Sequence, residues 1–134
     1  MSHRATGPFE VKLAPQPTDA SSEGAVVGRI SLDKQFHGDL EGTGKGEMLS
    51  IMGSVKGSGA YVAVEWVTGT LHGKSGTFAL HHTGIMKRSV PSLSIHVVPD
   101  SGTGELAGIT GKLNIIIEAG KHSYEFDYLL EPAP

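Results

Sequence analysis

Ala60-Tyr61-Val62-Ala63-Val64-Glu65-Trp66-Val67-Thr68-Gly69-Thr70-Leu71-His72-Gly73-Lys74-Ser75-Gly76-Thr77-Phe78-Ala79-Leu80-His81-His82-Thr83-Gly84-Ile85 decides the fold. Its residues alternate with period two on both sides of a Gly-containing break, the pattern of a β-hairpin rather than a helix. A turn at Gly73-Lys74 sets Gly69 opposite Phe78, Val67 opposite Leu80 and Glu65 opposite His82. One face then carries Tyr61, Glu65, Val67, Leu71, Phe78, Leu80 and His82. The other carries Trp66, Thr68, Thr70, Thr77, Ala79, His81 and Thr83, which points it toward solvent.

The same period extends in both directions. Strands are expected at Gly7 to Leu13, Ala25 to Phe36, Leu40 to Met52, Ala60 to Leu71, Gly76 to Ile85, Leu93 to Val98, Ile109 to Glu118 and Lys121 to Leu130. Ala14-Pro15-Gln16-Pro17-Thr18-Asp19 reads as a turn after the first strand, and Glu131-Pro132-Ala133-Pro134 as a fraying tail. A two-residue turn at Ala119-Gly120 pairs Glu118 with Lys121, Lys112 with Asp127, Leu113 with Phe126 and Ile115 with Tyr124, matching charge and apolarity at once. A three-residue loop, His37-Gly38-Asp39, pairs Phe36 with Leu40, Arg29 with Glu47 and Ile30 with Gly46. No apolar stripe of helical period spans eleven residues.

The chain has 134 residues, the size of one domain, so 1–134 is read as a single unit. Eight strands without helices must cover their own apolar face and edges, which calls for closure. Gly42, Gly44 and Gly46 along one strand suit the coiling of a small barrel. The expected fold is all-β: an eight-stranded, mostly antiparallel closed barrel, with a two-sheet β-sandwich as the alternative. Net charge is −3 and the basic residues are scattered, which argues against a nucleic-acid partner or a polybasic membrane anchor. Lys34, Lys45, Lys56, Lys87 and Arg88 read as solvated surface. With no cysteine, disulfides, thiolate metal sites and cysteine nucleophiles are excluded. No apolar run is long enough to span a bilayer, and the first residues do not read as a signal peptide, so a cytoplasmic protein is expected.

Three segments carry a family resemblance. They are Gly53-Ser54-Val55-Lys56-Gly57-Ser58-Gly59-Ala60-Tyr61-Val62-Ala63-Val64-Glu65, then Gly69-Thr70-Leu71-His72-Gly73-Lys74-Ser75-Gly76-Thr77-Phe78-Ala79-Leu80-His81-His82-Thr83-Gly84, and Val98-Pro99-Asp100-Ser101-Gly102-Thr103-Gly104-Glu105-Leu106-Ala107-Gly108-Ile109-Thr110-Gly111. Together they resemble a bacterial family of small proteins carrying a domain of unknown function, with a fold similar to the allene oxide cyclase barrel. The resemblance covers nearly the whole chain. It implies a closed eight-stranded barrel, often a homodimer or homotrimer, and no settled activity. Plant allene oxide cyclases, dirigent proteins and some polyketide cyclases share the architecture, but a shared fold does not transfer chemistry.

Glu65 and His82 are the candidate catalytic pair. A carboxylate facing a barrel interior resists ionisation unless a partner such as imidazolium compensates it, and such a pair can act as acid and base near neutral pH. Equally, the two groups can simply satisfy each other in a core. Tyr61, Phe78, Leu80, His122, Tyr124, Phe126 and Tyr128 are candidate ligand contacts, since aromatic rings with polar tips suit an apolar or aromatic ligand; they also suit a filled barrel. Tyr61 or Tyr124 would steady an oxyanion in cofactor-free isomerase, cyclase or lyase chemistry.

Neither His-x-His nor His-Glu-x-x-His occurs, so no metal or other cofactor is expected; Glu65, His82 and His122 would have to converge from three strands. Gly69 to Ser75 ends like a phosphate loop, but its spacing is short and a strand follows, so it reads as a turn. Gly102 to Ala107 and Gly57-Ser58-Gly59 are likewise loops. Met48, Met52 and Met86 are expected near the barrel openings as adaptable fillers. The competing functional reading is a packed, non-enzymatic barrel that acts through an outer face bearing Trp66 and the threonines.

Overall fold

The computed structural model describes residues 2–17, 21–22 and 25–132. Thr18 and Asp19 of the expected turn, and Ala133 and Pro134 of the expected tail, lie outside the described residues. Eight long strands are present: β1 (His3–Gln16), β3 (Ala25–Phe36), β4 (Leu40–Met52), β5 (Gly59–Leu71), β6 (Lys74–Lys87), β7 (Val90–Val97), β8 (Ile109–Glu118) and β9 (Lys121–Leu130). A two-residue β2 (Ser21–Ser22) and a short 3₁₀ turn (Gly104–Leu106) complete the described elements. The order runs β1-β9-β8-β7-β6-β5-β4-β3, and β1 pairs again with β3. That last pairing closes an antiparallel barrel, so the sandwich alternative is not adopted.

Two registers differ from expectation by two residues. β5 and β6 turn at His72-Gly73, giving Leu71 opposite Lys74, Val67 opposite Phe78, Glu65 opposite Leu80 and Ala63 opposite His82. Both turn residues have positive φ (45° and 81°), and a glycine fits the second of these positions far better than Lys74 would. Ala119-Gly120 follows the same pattern, and there all four expected pairs form. Between β3 and β4 the ladder stops at Phe36 opposite Gly42, because the intervening loop bonds elsewhere. His37 N–H donates to Pro8 and Asp39 N–H to Thr6, so the loop lies along β1 instead of closing on itself. A slip of two preserves every inward or outward assignment. Thus Arg29 still reaches Glu47, now diagonally, at 2.6 Å.

β1 runs through Pro15 rather than turning at Ala14. Its pairing with β9 ends at Phe9, so beyond that point one side of the strand has no partner among the described residues and proline's missing N–H interrupts no ladder there.

The barrel is filled at one end. Phe36, Leu40, Val67, Leu71, Phe78, Leu80, Phe126 and Tyr128 are buried there, with Phe78 stacked on Phe126 and Phe126 on Tyr128. The Tyr124 hydroxyl accepts from Leu40 N–H at 2.8 Å and donates to the His37 carbonyl at 2.7 Å. At the other end the wall is looser. β7 and β8 share only the pairs Ile95–Leu113 and His96–Lys112, so their opposite ends diverge.

Candidate functional site

Where the filled end stops, three polar side chains meet inside the barrel. Glu65 Oε1 accepts from Lys34 Nζ at 2.7 Å and from His82 Nε2 at 2.7 Å. Lys34, Glu65 and His82 are only 5%, 2% and 3% exposed. Alternation explains each placement: Lys34 shares the inward side of β3 with Leu32 and Phe36, Glu65 that of β5 with Val67, and His82 that of β6 with Leu80. Lys34 is therefore a correction to its reading as surface. Its aliphatic stem suits the apolar wall, and its ammonium lies 5.4 Å from the centre of the Phe9 ring and 5.8 Å from that of Phe36.

β4 lies between β3 and β5, and its inward side there is bare glycine. Gly44 sits opposite Lys34 on one side and Val67 on the other. A Cβ at Gly44 would lie 2.3 Å from Glu65 Oε2 and 3.0 Å from the Phe36 ring. The missing side chain is what lets the carboxylate lean across β4 to the lysine. At Gly42 and Gly46 a Cβ would meet the backbone of β5 instead, at 2.3 and 1.9 Å, in keeping with tight coiling of the strand pair.

Burial by itself would raise the Glu65 pKa, but the hydrogen bonds and charges of His82 and Lys34 together outweigh it and hold the carboxyl below its ordinary range. Glu65 is thus ionised at neutral pH. Its Oε2 is buried without a hydrogen-bond partner among the described residues.

Above this cluster lies a cavity of about 200 Å³. Lys34 and His82 are on its wall, with Phe9, Val11, Leu32, Met48, Tyr61, Leu93, Ile115, Ile117 and His122. Glu65 is not on that wall; it stands behind the other two. A wider recess of about 490 Å³ shares Met48, Tyr61, Leu93 and Ile117 with the inner cavity and adds Met52, Met86 and Pro91. All three expected methionines therefore gather at one mouth. The Tyr61 ring lies over Gly84, where a Cβ would come within 2.2 Å of it. Burial and, secondarily, the Glu65 charge push the Tyr61 hydroxyl pKa up.

Of the sequence candidates, Glu65 and His82 are brought together, and Tyr61 and His122 stand on the cavity wall above them. Phe78, Leu80, Tyr124, Phe126 and Tyr128 belong to the filled end and line neither the inner cavity nor its mouth. Tyr124 has its hydroxyl committed to backbone groups. Lys34, Leu93 and Ile117 were missed as site residues, although period two through Leu32-Asp33-Lys34-Gln35-Phe36 already placed Lys34 on the apolar side. Among the described residues, no group of three or more His, Asp or Glu side chains could hold a metal. None of their helices is long and apolar enough to cross a membrane.

Residues 5–128 match the family described as "Protein of unknown function (DUF3224)". The chain is similar to a crystal structure, at 1.84 Å resolution, of a DUF3224-family protein of unknown function from Shewanella oneidensis MR-1. Identity is 48%, the TM-score is 0.95, and the similarity covers 99% of this chain and 100% of that one. No curated protein matches.

Proposed function

The chain belongs to the DUF3224 family of unknown function, and from its lumen we propose that it binds an apolar or aromatic small molecule inside the barrel. One observation carries this reading: an apolar cavity that opens at a methionine-rich mouth and ends on two buried polar side chains, Lys34 and His82. Such a site takes an apolar body and orients it by a few fixed donors. Binding is better supported than proton abstraction. A carboxylate held ionised by two donors, and standing behind them, is a weak base with poor access to a ligand.

The test is a thermal-shift screen of apolar and aromatic metabolites. A ligand at about one hundred times its Kd stabilises by about 2.7 kcal/mol, roughly 10 °C for a chain of this size. Met48→Trp, which fills the mouth, is expected to abolish that shift. Shifts that persist unchanged in this variant would place binding elsewhere.

A second reading has its own observation. Leu49, Ile51, Val62, Val64, Trp66 and Ile85 are exposed together on the outside of β4, β5 and β6. A contiguous apolar patch of this kind supports association into a homodimer or homotrimer through that face. Sedimentation equilibrium of the wild type against Trp66→Glu tests it, a monomeric wild type refuting the reading.

A further inference from the structure

We propose that the floor of the lumen recognises a carboxylate, so that the ligand class is a small amphiphilic acid whose head is held by Lys34 Nζ beside His82. The inference rests on the lumen reading above and adds the chemistry of the head group.

Donor accounting comes first. An ammonium has three N–H donors. Lys34 directs one at Glu65 Oε1 and has no other side-chain or backbone acceptor among the described residues, which leaves donors for a ligand in the cavity it lines. His82 must hold a proton on Nε2, because the carboxylate it faces is ionised and can only accept. Its Nδ1 makes no hydrogen bond to the described residues. Lys34 thus offers donors to the cavity, while the carboxylate acceptor, Glu65, stands behind the wall with Oε2 buried against Gly44. A cationic head would meet an ammonium and find no carboxylate within reach. An anionic head meets charge-assisted donors.

The other polar groups on the cavity wall are Tyr61 on β5 and His122 on β9. The remaining cavity contacts from β1, β4, β7 and β8 are apolar: Phe9, Val11 and Leu13, Met48, Leu93, and Ile115 and Ile117. Size narrows the class further. About 200 Å³ exceeds the ~150 Å³ cavity that holds a benzene ring, so one ring with a short tether fits the inner space.

The experiment titrates the full chain with phenylbutyrate, phenylbutanol and phenylbutylamine, which share a ring and tether and differ in the head. Affinities are read by calorimetry at pH 7.5. The acid is expected to bind about ten-fold or more tighter than the alcohol, and the amine no tighter than the alcohol. In Lys34→Met/Glu65→Gln, which keeps the floor neutral, the acid is expected to lose its advantage while the alcohol still binds. Equal binding of acid and alcohol would overturn the carboxylate inference and leave the lumen reading standing. If none of the three binds, the lumen reading falls and this inference with it.

Discussion

Replacing Lys34 with methionine keeps an unbranched apolar stem in the wall but removes the cation that compensates Glu65. The pair is 2.7 Å apart, and its side chains are 6% and 0% exposed, so solvent cannot screen the carboxylate left behind. Breaking such a buried pair from one side costs about 3–5 kcal/mol. At roughly 4 °C per kcal/mol for this chain length, the thermal midpoint at pH 7 falls by about 12–20 °C. Lys34→Met/Glu65→Gln removes both charges and should recover most of that loss, which makes the two single variants and the double a thermodynamic cycle.

The pH dependence separates the variants further. In the wild type the Glu65 pKa is held below its ordinary value, so its contribution is present above the unfolded carboxyl range and is lost as pH falls through the lowered folded value. Lys34→Met removes two of the causes that lower it, so the folded pKa rises from its wild-type position. The variant's deficit relative to wild type is then greatest at neutral pH and shrinks as pH falls through the carboxyl range. The assay is urea denaturation of all four proteins between pH 7 and pH 5. A Lys34→Met loss below about 1 kcal/mol at pH 7, or a double variant less stable than the single, would refute the account of the cluster.

Gly44→Ala puts a methyl group 2.3 Å from Glu65 Oε2 and is expected to cost about 1–3 kcal/mol in chemical denaturation; a neutral result would mean that the carboxylate does not lean across β4. Tyr124→Phe strands the buried Leu40 N–H and should cost about 1–3 kcal/mol without altering ligand affinity, since the hydroxyl serves the filled end. Phe78→Ala, at the fully buried stack on Phe126, should cost about 3–5 kcal/mol in the same assay.

Turn chemistry and a distant strand explain why the β5–β6 and β3–β4 registers lie two residues away from expectation. Local pairing preferences favoured Glu65 opposite His82 and Arg29 opposite Glu47. The actual ladders depend on the φ > 0 requirement at His72-Gly73 and on hydrogen bonds from the His37–Asp39 loop to β1, a strand far away in sequence. The turn was legible, because Ala119-Gly120 obeys the same X-Gly rule. The loop was not, because its partner strand lies about thirty residues earlier in the chain. The position of Lys34 was legible too, from its alternation with Leu32 and Phe36. A lysine on an apolar face becomes informative only when the side chain that neutralises it is identified.

Period two and the paucity of helix signals determined from sequence that this is an all-β chain, which residues point inward, and that Glu65 and His82 share an interior. Those properties depend on neighbours a few residues apart, and a slip of two leaves them intact. Only the tertiary structure decided that Lys34 joins them, that Gly44 clears the way for the carboxylate, and that one end of the lumen is filled while the other is open. Each of these depends on which side chains from different strands compete for the same volume. Spacing along the chain does not encode that competition, and barrel closure resolves it.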